Sequence, residues 1–206
     1  MKIQGMSREA YFALPALSNS KMNEIDLNDG KFKPRMTEGP LSFGSLVDAI
    51  LTQRQDVDLS HPDYQKAMKM VDKFMADEFS RTLWEHSEKQ SVYTDQVSGT
   101  FNDDIFELYC KCLYDFDLSD KAGADLKTGS CWDYQGFLKI IDTFDWDQQA
   151  FFYMHVSGKK SHSIICLSKL RVQPPFKKTI NQGDELWWRG RAKAMEKMWY
   201  YNLLKI

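Results

Sequence analysis

No stretch of eighteen consecutive apolar residues occurs in this 206-residue chain, so no segment can cross a bilayer as a helix. The opening residues, MKIQGMSREAYF, lack the apolar core of a secretory leader. Four cysteines are too few for a disulfide scaffold at this length. Cys110 and Cys112 stand two apart, as strand residues sharing a face would, whereas zinc sites favour C-x2-C. All four are expected to be free thiols in a reducing cytoplasm. Repeats and low-complexity tracts are absent, and there are only four histidines, His61, His86, His155 and His162. What remains is an ordinary globular composition, 43% hydrophobic and 27% charged, long enough to bury one core.

The net charge of −2 conceals a division. From Val156 onward there are eleven Lys/Arg against three Asp/Glu, a net of +8. The first 155 residues hold sixteen against twenty-six, a net of −10. A basic final quarter beside an acidic body suits a polyanion-binding rim next to a carboxylate-rich centre, although solvated charged faces would give the same count.

Helical spacing predicts helices early in the chain. Pro15 interrupts the first, and Ser18 or Ser20 could N-cap a short one. DLNDGKFKPRMTEGPL reads as a loop. SFGSLVDAILTQ reads as a buried helix, and a longer one opens at Pro62, with Met68, Val71, Met75 and Phe79 in step. Strands follow: QSVYT, a turn around Ser98-Gly99, then IFELYCKCLYDFDL as one strand or two, a turn at SDKAG, and a short central ADLKT. A helical region broken near Phe144 leads to SHSIICLSK, whose apolar run suits a strand buried on both faces. VQPPFKKTIN fits an edge strand or loop, because proline is excluded from sheet centres. Gly183 onward reads as a final amphipathic helix. The expected architecture is one α/β domain over 1–206, with helices mainly in 1–90 and a small mixed central sheet with flanking helices in 91–206.

Carboxylates inside strand-like segments carry the chemistry. Asp115 lies in one strand; Asp125 and Lys127 follow in the next as D-x-K. In an antiparallel pair the two acids could meet, and would repel unless a cation sat between them. Mg2+ prefers hard oxygen ligands and keeps several waters. Lys127 shares a side of its strand with Asp125, where an ammonium could orient or deprotonate a water or stabilise phosphate charge. That set is the equipment of phosphodiester hydrolysis. Short D-x-K patterns are common, and a surface hairpin with scattered acids would show the same letters.

CKCLYDFDLSDKAGADLKTG resembles the core of the PD-(D/E)XK nuclease superfamily, and more narrowly the RecE (exonuclease VIII) and phage recombination exonucleases. Cys110, Lys111, Cys112 and Asp115 fall on that family's C-R-C-R-P-D strand, with Tyr114 in place of its proline. Asp125, Lys127 and Thr128 fall on its V-D-V-K-T strand. Gln149 and Tyr153 match its Q-x-x-x-Y helix, an i, i+4 pair on one helical face. ALSNSKM and LSFGSLVDAILTQ resemble its two N-terminal segments, so the likeness runs from about Ser18 to Lys169.

The resemblance implies a restriction-endonuclease-like core and a Mg2+-dependent deoxyribonuclease, with Mn2+ as a substitute, most simply an exonuclease on double-stranded DNA ends. Other nucleases of the superfamily, structure-specific or single-strand, and a DNA-binding protein that has lost turnover are the alternatives. Asp115, Asp125 and the Leu126 carbonyl would hold the metal, and Asp48 stands where the family has a histidine ligand. Aspartate suits Mg2+ at least as well, although near a helix start an acid is favourable in any case. Lys127 would position water, with Gln149 and Tyr153 orienting the reacting groups. Some lambda-type members carry a glutamate just before the strand that QSVYT would form; Glu88 is the candidate, and Gln90 could take its place. Lys159, Lys160, Lys177, Lys178, Arg189 and Arg191 are candidates for backbone-phosphate contacts. Trp187, Trp188 and Trp199 could stack bases, but helical spacing favours core. By the same resemblance the protein would form a toroidal homo-oligomer and pair with a single-strand annealing protein in the cytoplasm of a bacterium or phage-infected host.

Overall fold

The computed structural model describes residues 1–27, 31–32 and 42–204. A short strand, β1 (Lys2–Ile3), precedes helix α1 (Arg8–Ala13). Pro15 then breaks the chain, and the Ser18 hydroxyl N-caps α2 (Asn19–Asn23) by accepting from the Lys21 N–H at 3.3 Å. β2 (Ile25–Asp26) and β3 (Lys31–Phe32) form a small ladder in the loop read from the sequence; the rest of that loop lies outside the described residues. Helix α3 (Ser42–Leu51) follows.

The long helix expected from Pro62 is two helices, α4 (Tyr64–Ala76) and α5 (Glu78–His86). Asp77 separates them. Its backbone is extended, and its carboxylate accepts from the Ser80 N–H and hydroxyl at 2.9 and 2.7 Å. An aspartate that can satisfy free N–H groups starts a new helix more readily than it continues an old one.

β4 (Glu88–Phe101) and β5 (Asp104–Asp117) make a long hairpin. The turn lies at Asn102-Asp103, not at Ser98-Gly99 as the sequence suggests. Asn102 and Asp103 both take positive φ, 50° and 66°, as a two-residue hairpin turn demands. Gly99 sits inside β4 because the Phe106 ring lies across it; a Cβ there would come within 2.3 Å of that ring. After β6 (Ala122–Gly129) come α6 (Tyr134–Thr143), α7 (Trp146–Ser157), β7 (Ser161–Ser168), β8 (Phe176–Asn181) and α8 (Glu185–Leu204).

The main sheet has six strands in the order β1-β4-β5-β6-β7-β8. Only β6 and β7 are parallel, joined by the α6–α7 crossover, and the proline-preceded β8 is an edge. One sheet face packs Phe116, Ala124, Leu126, Ile165 and Leu167 against α3, α4 and α5. The other carries Cys110, Cys112 and Tyr114 against α7 and α8. Polar residues of β6 that alternate with Ala124 and Leu126 therefore face α7. All four cysteines are buried and outside any disulfide. Among the described residues no helix is long and apolar enough to cross a membrane.

Candidate active site

Tyr114 and Phe116 are two apart yet pack on opposite faces of the sheet, against Tyr153 and Phe74. Strict alternation would put them on one face. The pleat is interrupted between them, opposite Gln90, which has φ 55°. The β5–β6 ladder also ends there, with Phe116 opposite Ala124 and Asp117 opposite Gly123. One step further, Asp115 and Asp125 would pair. Instead the Asp115 carboxylate takes the place of a strand partner, accepting from the Leu126 N–H at 2.8 Å. Its other oxygen accepts from Gln90 Nε2 at 3.0 Å.

Asp125 is almost wholly buried, at 1% exposure. Its Oδ2 accepts from Lys127 Nζ at 3.2 Å and from Gln149 Nε2 on α7. Its Oδ1 is buried with no hydrogen-bond partner among the described residues. Asp48, on α3, turns Oδ2 to Arg54 at 3.2 Å and Arg8 at 3.5 Å, and its Oδ1 is likewise buried and unpartnered among the described residues. Burial, then the charges of Asp48 and Asp125, push the Asp115 carboxyl well above the ordinary carboxylate range. Burial also raises the Asp48 carboxyl, against the pull of Arg8 and Arg54. At Asp115 burial and the two neighbouring acids, and at Asp48 burial, thus outweigh the nearby Arg8, Arg54 and Lys127.

Among the described residues no three His, Cys, Asp or Glu side chains are drawn together as a finished metal cage. The oxygen donors nevertheless fit a hard divalent cation: the free Oδ1 atoms of Asp48 and Asp125 and the Asp115 carboxylate supply anionic oxygens and no soft ligand. Tyr153 is buried beside them, edge-on to Tyr114 and His162, and burial followed by the Asp125 charge raises its phenol strongly. His162 is buried, and burial lowers its pKa to about 4, so it is a neutral packing ring.

Other expected residues lie elsewhere. Glu88 is exposed and bonded to Lys2 at 2.8 Å, while Gln90 meets Asp115; the pleat interruption turns Gln90, not Glu88, toward the acid. Asp117 sits in a cluster with Lys2, Tyr93 and Lys159, at 2.7, 2.8 and 2.7 Å. Lys159 is therefore no surface phosphate contact: its side chain is fully buried because it neutralises Asp117. Lys177 pairs with Asp77 at 2.7 Å, and Arg189 with the buried Asp147. Among the described residues Lys160, Lys178 and Arg191 make no ion pair. Trp187 packs on Phe151 and Trp199 on Phe101, while Trp188 is 56% exposed.

Sequence reading passed over Arg8, Arg54 and Lys111 as site-builders. Lys111 is buried, yet donates to the Tyr11 and Leu14 carbonyls at 2.7 Å each. It caps the C-terminal end of α1, where a cation is favoured, and so fixes the helix that carries Arg8 to Asp48. The available signal was a lysine between two strand cysteines, a poor place for a charge without a buried partner.

No protein-family profile and no curated protein sequence matches the chain. Among solved structures, a candidate exonuclease from Eubacterium rectale superposes with a TM-score of 0.70 at 16% identity, over 97% of this chain and 86% of that one. The chain shares that protein's fold. The mixed sheet with flanking helices is the restriction-endonuclease-like arrangement expected from the sequence. An alkaline exonuclease from Laribacter hongkongensis aligns at 15% identity over 96% of this chain and 92% of its own, with a TM-score of 0.46. A phage-related exonuclease from Haemophilus somnus aligns at 12% identity over 93% and 96%, with a TM-score of 0.44.

Proposed function

We propose that this protein is a metal-dependent deoxyribonuclease that hydrolyses phosphodiester bonds from double-stranded DNA ends. The observation that carries the reading is the acid pair at the end of the β5–β6 ladder. Asp115 is held by the Leu126 N–H, and Asp125 by Lys127 and Gln149, leaving a buried Asp125 Oδ1 with no partner among the described residues. Mg2+, or Mn2+ in its place, would be held by Asp115 and Asp125, with Asp48 and the Leu126 carbonyl as further oxygen donors. Such a cation supplies Lewis acidity and a water of lowered pKa.

The protein's own groups do the rest. Gln149 fixes one oxygen of Asp125 and so leaves the other for the cation. Lys127, on the same oxygen, has further N–H donors for the attacking water and the phosphate charge that grows in the transition state. Water gives up a proton to solvent as its oxygen bonds to phosphorus, the bond to the leaving oxygen breaks, and that oxygen takes a proton from solvent. Gln90 holds Asp115, and Tyr153, whose phenol lies in the field of Asp125, would orient the reacting groups. Lys160, Lys178 and Arg191 remain as phosphate contacts.

An end-labelled linear duplex and a closed circle, each incubated with Mg2+, test the reading. Steady label release from the linear duplex with the circle intact is expected. Nicking of the circle would make the protein an endonuclease of the same fold, and binding without cleavage would leave it a DNA-binding protein. A toroidal oligomer and an annealing partner belong to the same proposal and call for light scattering and co-purification.

A further inference from the structure

A second cavity lies away from the acids. It occupies about 370 Å³ between the distal half of the β4–β5 hairpin, α7 and α8, a size typical of small-ligand sites. A smaller lobe of about 140 Å³ continues it toward Lys160, sharing Phe151, His155, Gln182 and Trp187. The walls are aromatic. His155 stacks on Phe151 with centroids 5.3 Å apart and planes 21° apart, and Trp187 meets Phe151 edge-on at 5.2 Å.

Two polar groups in this cavity have hydrogen-bonding capacity to spare. His155 is bonded to the Ser98 backbone, while its Nε2 is buried with no hydrogen-bond partner among the described residues. Burial lowers the pKa of that ring, so it presents a neutral imidazole able to donate or accept. The second is Arg191. Of the four cationic side chains within α8, Arg189, Lys193 and Lys197 are ion-paired to Asp142, Asp145 or Asp147. Among the described residues Arg191 makes no ion pair; its guanidinium lies 5.7 Å from the Trp188 ring, and it lines the cavity.

We infer that this cavity is a nucleotide-binding site separate from the catalytic cleft, which takes a nucleobase against Trp187 and His155 and the attached phosphate on Arg191. Every base has a π-face, so aromatic walls accept it without sequence preference. A guanidinium is the natural partner of a phosphate. Separateness follows from helix geometry. Gln149 reaches Asp125 from α7, and Phe151, two residues on, points about 200° around the helix. The inference rests on the nuclease reading for its choice of ligand, because a nuclease meets nucleotides both as released product and as single strand.

The test is binding without turnover. With EDTA present, the protein is titrated with dAMP and, separately, with a short oligothymidylate, and followed by tryptophan fluorescence and calorimetry. Saturable binding that perturbs tryptophan emission is expected. Arg191→Ala should weaken it about tenfold or more, the loss of one charge-assisted hydrogen bond, and Lys127→Ala should leave it unchanged. Trp187→Phe keeps an aromatic wall and should retain binding while losing most of the emission change, so the site is testable even if Trp187→Ala does not fold. Binding of dAMP identifies product as the occupant; binding of the oligomer alone identifies a strand. No saturable binding of either probe overturns the inference, as does binding lost in Lys127→Ala but kept in Arg191→Ala, which would locate the nucleotide in the catalytic cleft. If binding holds while the wild type cleaves no duplex, the nuclease reading fails and the cavity stands.

Discussion

Lys127 and Asp48 test different parts of the site. Lys127→Ala removes a cation whose value is greatest in the transition state, so cleavage of linear duplex should fall by about 10²-fold or more with thermal stability and DNA affinity nearly unchanged. Turnover close to wild type would remove Lys127 from the mechanism. Asp48 shares its field with Asp115 and is restrained by Arg8 and Arg54. Asp48→Ala should therefore lose much of the gain in melting temperature on Mg2+ binding and most cleavage at low Mg2+, because one of three repelling acids is gone and one oxygen donor with it. Asp48→His should recover activity, more with Mn2+ than with Mg2+, since imidazole suits the softer ion. Asp48→Ala indistinguishable from wild type in metal titrations of melting temperature would reduce Asp48 to an arginine-paired surface acid.

At the scale of elements, spacing foretold most of what formed and missed what depended on a neighbour. The apolar runs of β5, β6 and β7 and the period of α3 and α4 were legible because burial of one face imposes a period. Asp77 was not read as a helix boundary, since its capping of Ser80 competes with a continuous apolar stripe. Gln90 could not be ranked above Glu88 because the pleat interruption that turns it to Asp115 arises only when β5 and β6 part. Asp77 gives a pH test. Burial opposes its charge, but Lys177 and Ser80 outweigh this and hold its carboxyl below the ordinary range. A depressed carboxyl stabilises fully above its unfolded value, about 3.9, and loses that contribution as pH falls through the folded value. Asp77→Asn should thus be less stable than wild type at neutral pH, with the gap closing below about pH 4; a gap independent of pH would sever Asp77 from Lys177. The α7–α8 crossing is a second case. A Cβ on Gly190 would lie 2.1 Å from the Asp147 carbonyl oxygen, so the helices approach backbone to backbone. Alanine favours a helix by up to ~1 kcal/mol, but overpacking typically costs about 1–3 kcal/mol. Gly190→Ala should lower the melting temperature, and an unchanged or raised value would show that the helices can part freely.

Across the whole molecule, the division between an acidic body and a basic final quarter has a structural use that composition could not reveal. Lys159 neutralises Asp117, Lys177 pairs with Asp77, and Arg189, Lys193 and Lys197 engage Asp142, Asp145 and Asp147. Much of the late positive charge therefore fastens β8, α8 and the start of β7 onto the body, and is unavailable to a polyanion. Of the candidate phosphate contacts, Lys160, Lys178 and Arg191 make no ion pair among the described residues and stay available to DNA. Each phosphate neutralised releases counterions, so the slope of log affinity against log salt counts such contacts at about 0.9 per phosphate on duplex DNA. Replacing Lys160 and Lys178 together with alanine should flatten that slope by roughly two units in metal-free binding, with melting temperature nearly unchanged. Lys159→Ala should behave in the opposite way. It strips Asp117 of a buried partner, so stability should fall while the salt slope of the remaining folded protein stays as in wild type. If Lys159→Ala flattens the slope and the Lys160/Lys178 double variant does not, the buried pair opens when DNA binds, and the path of the duplex runs over Asp117 rather than along the exposed lysines.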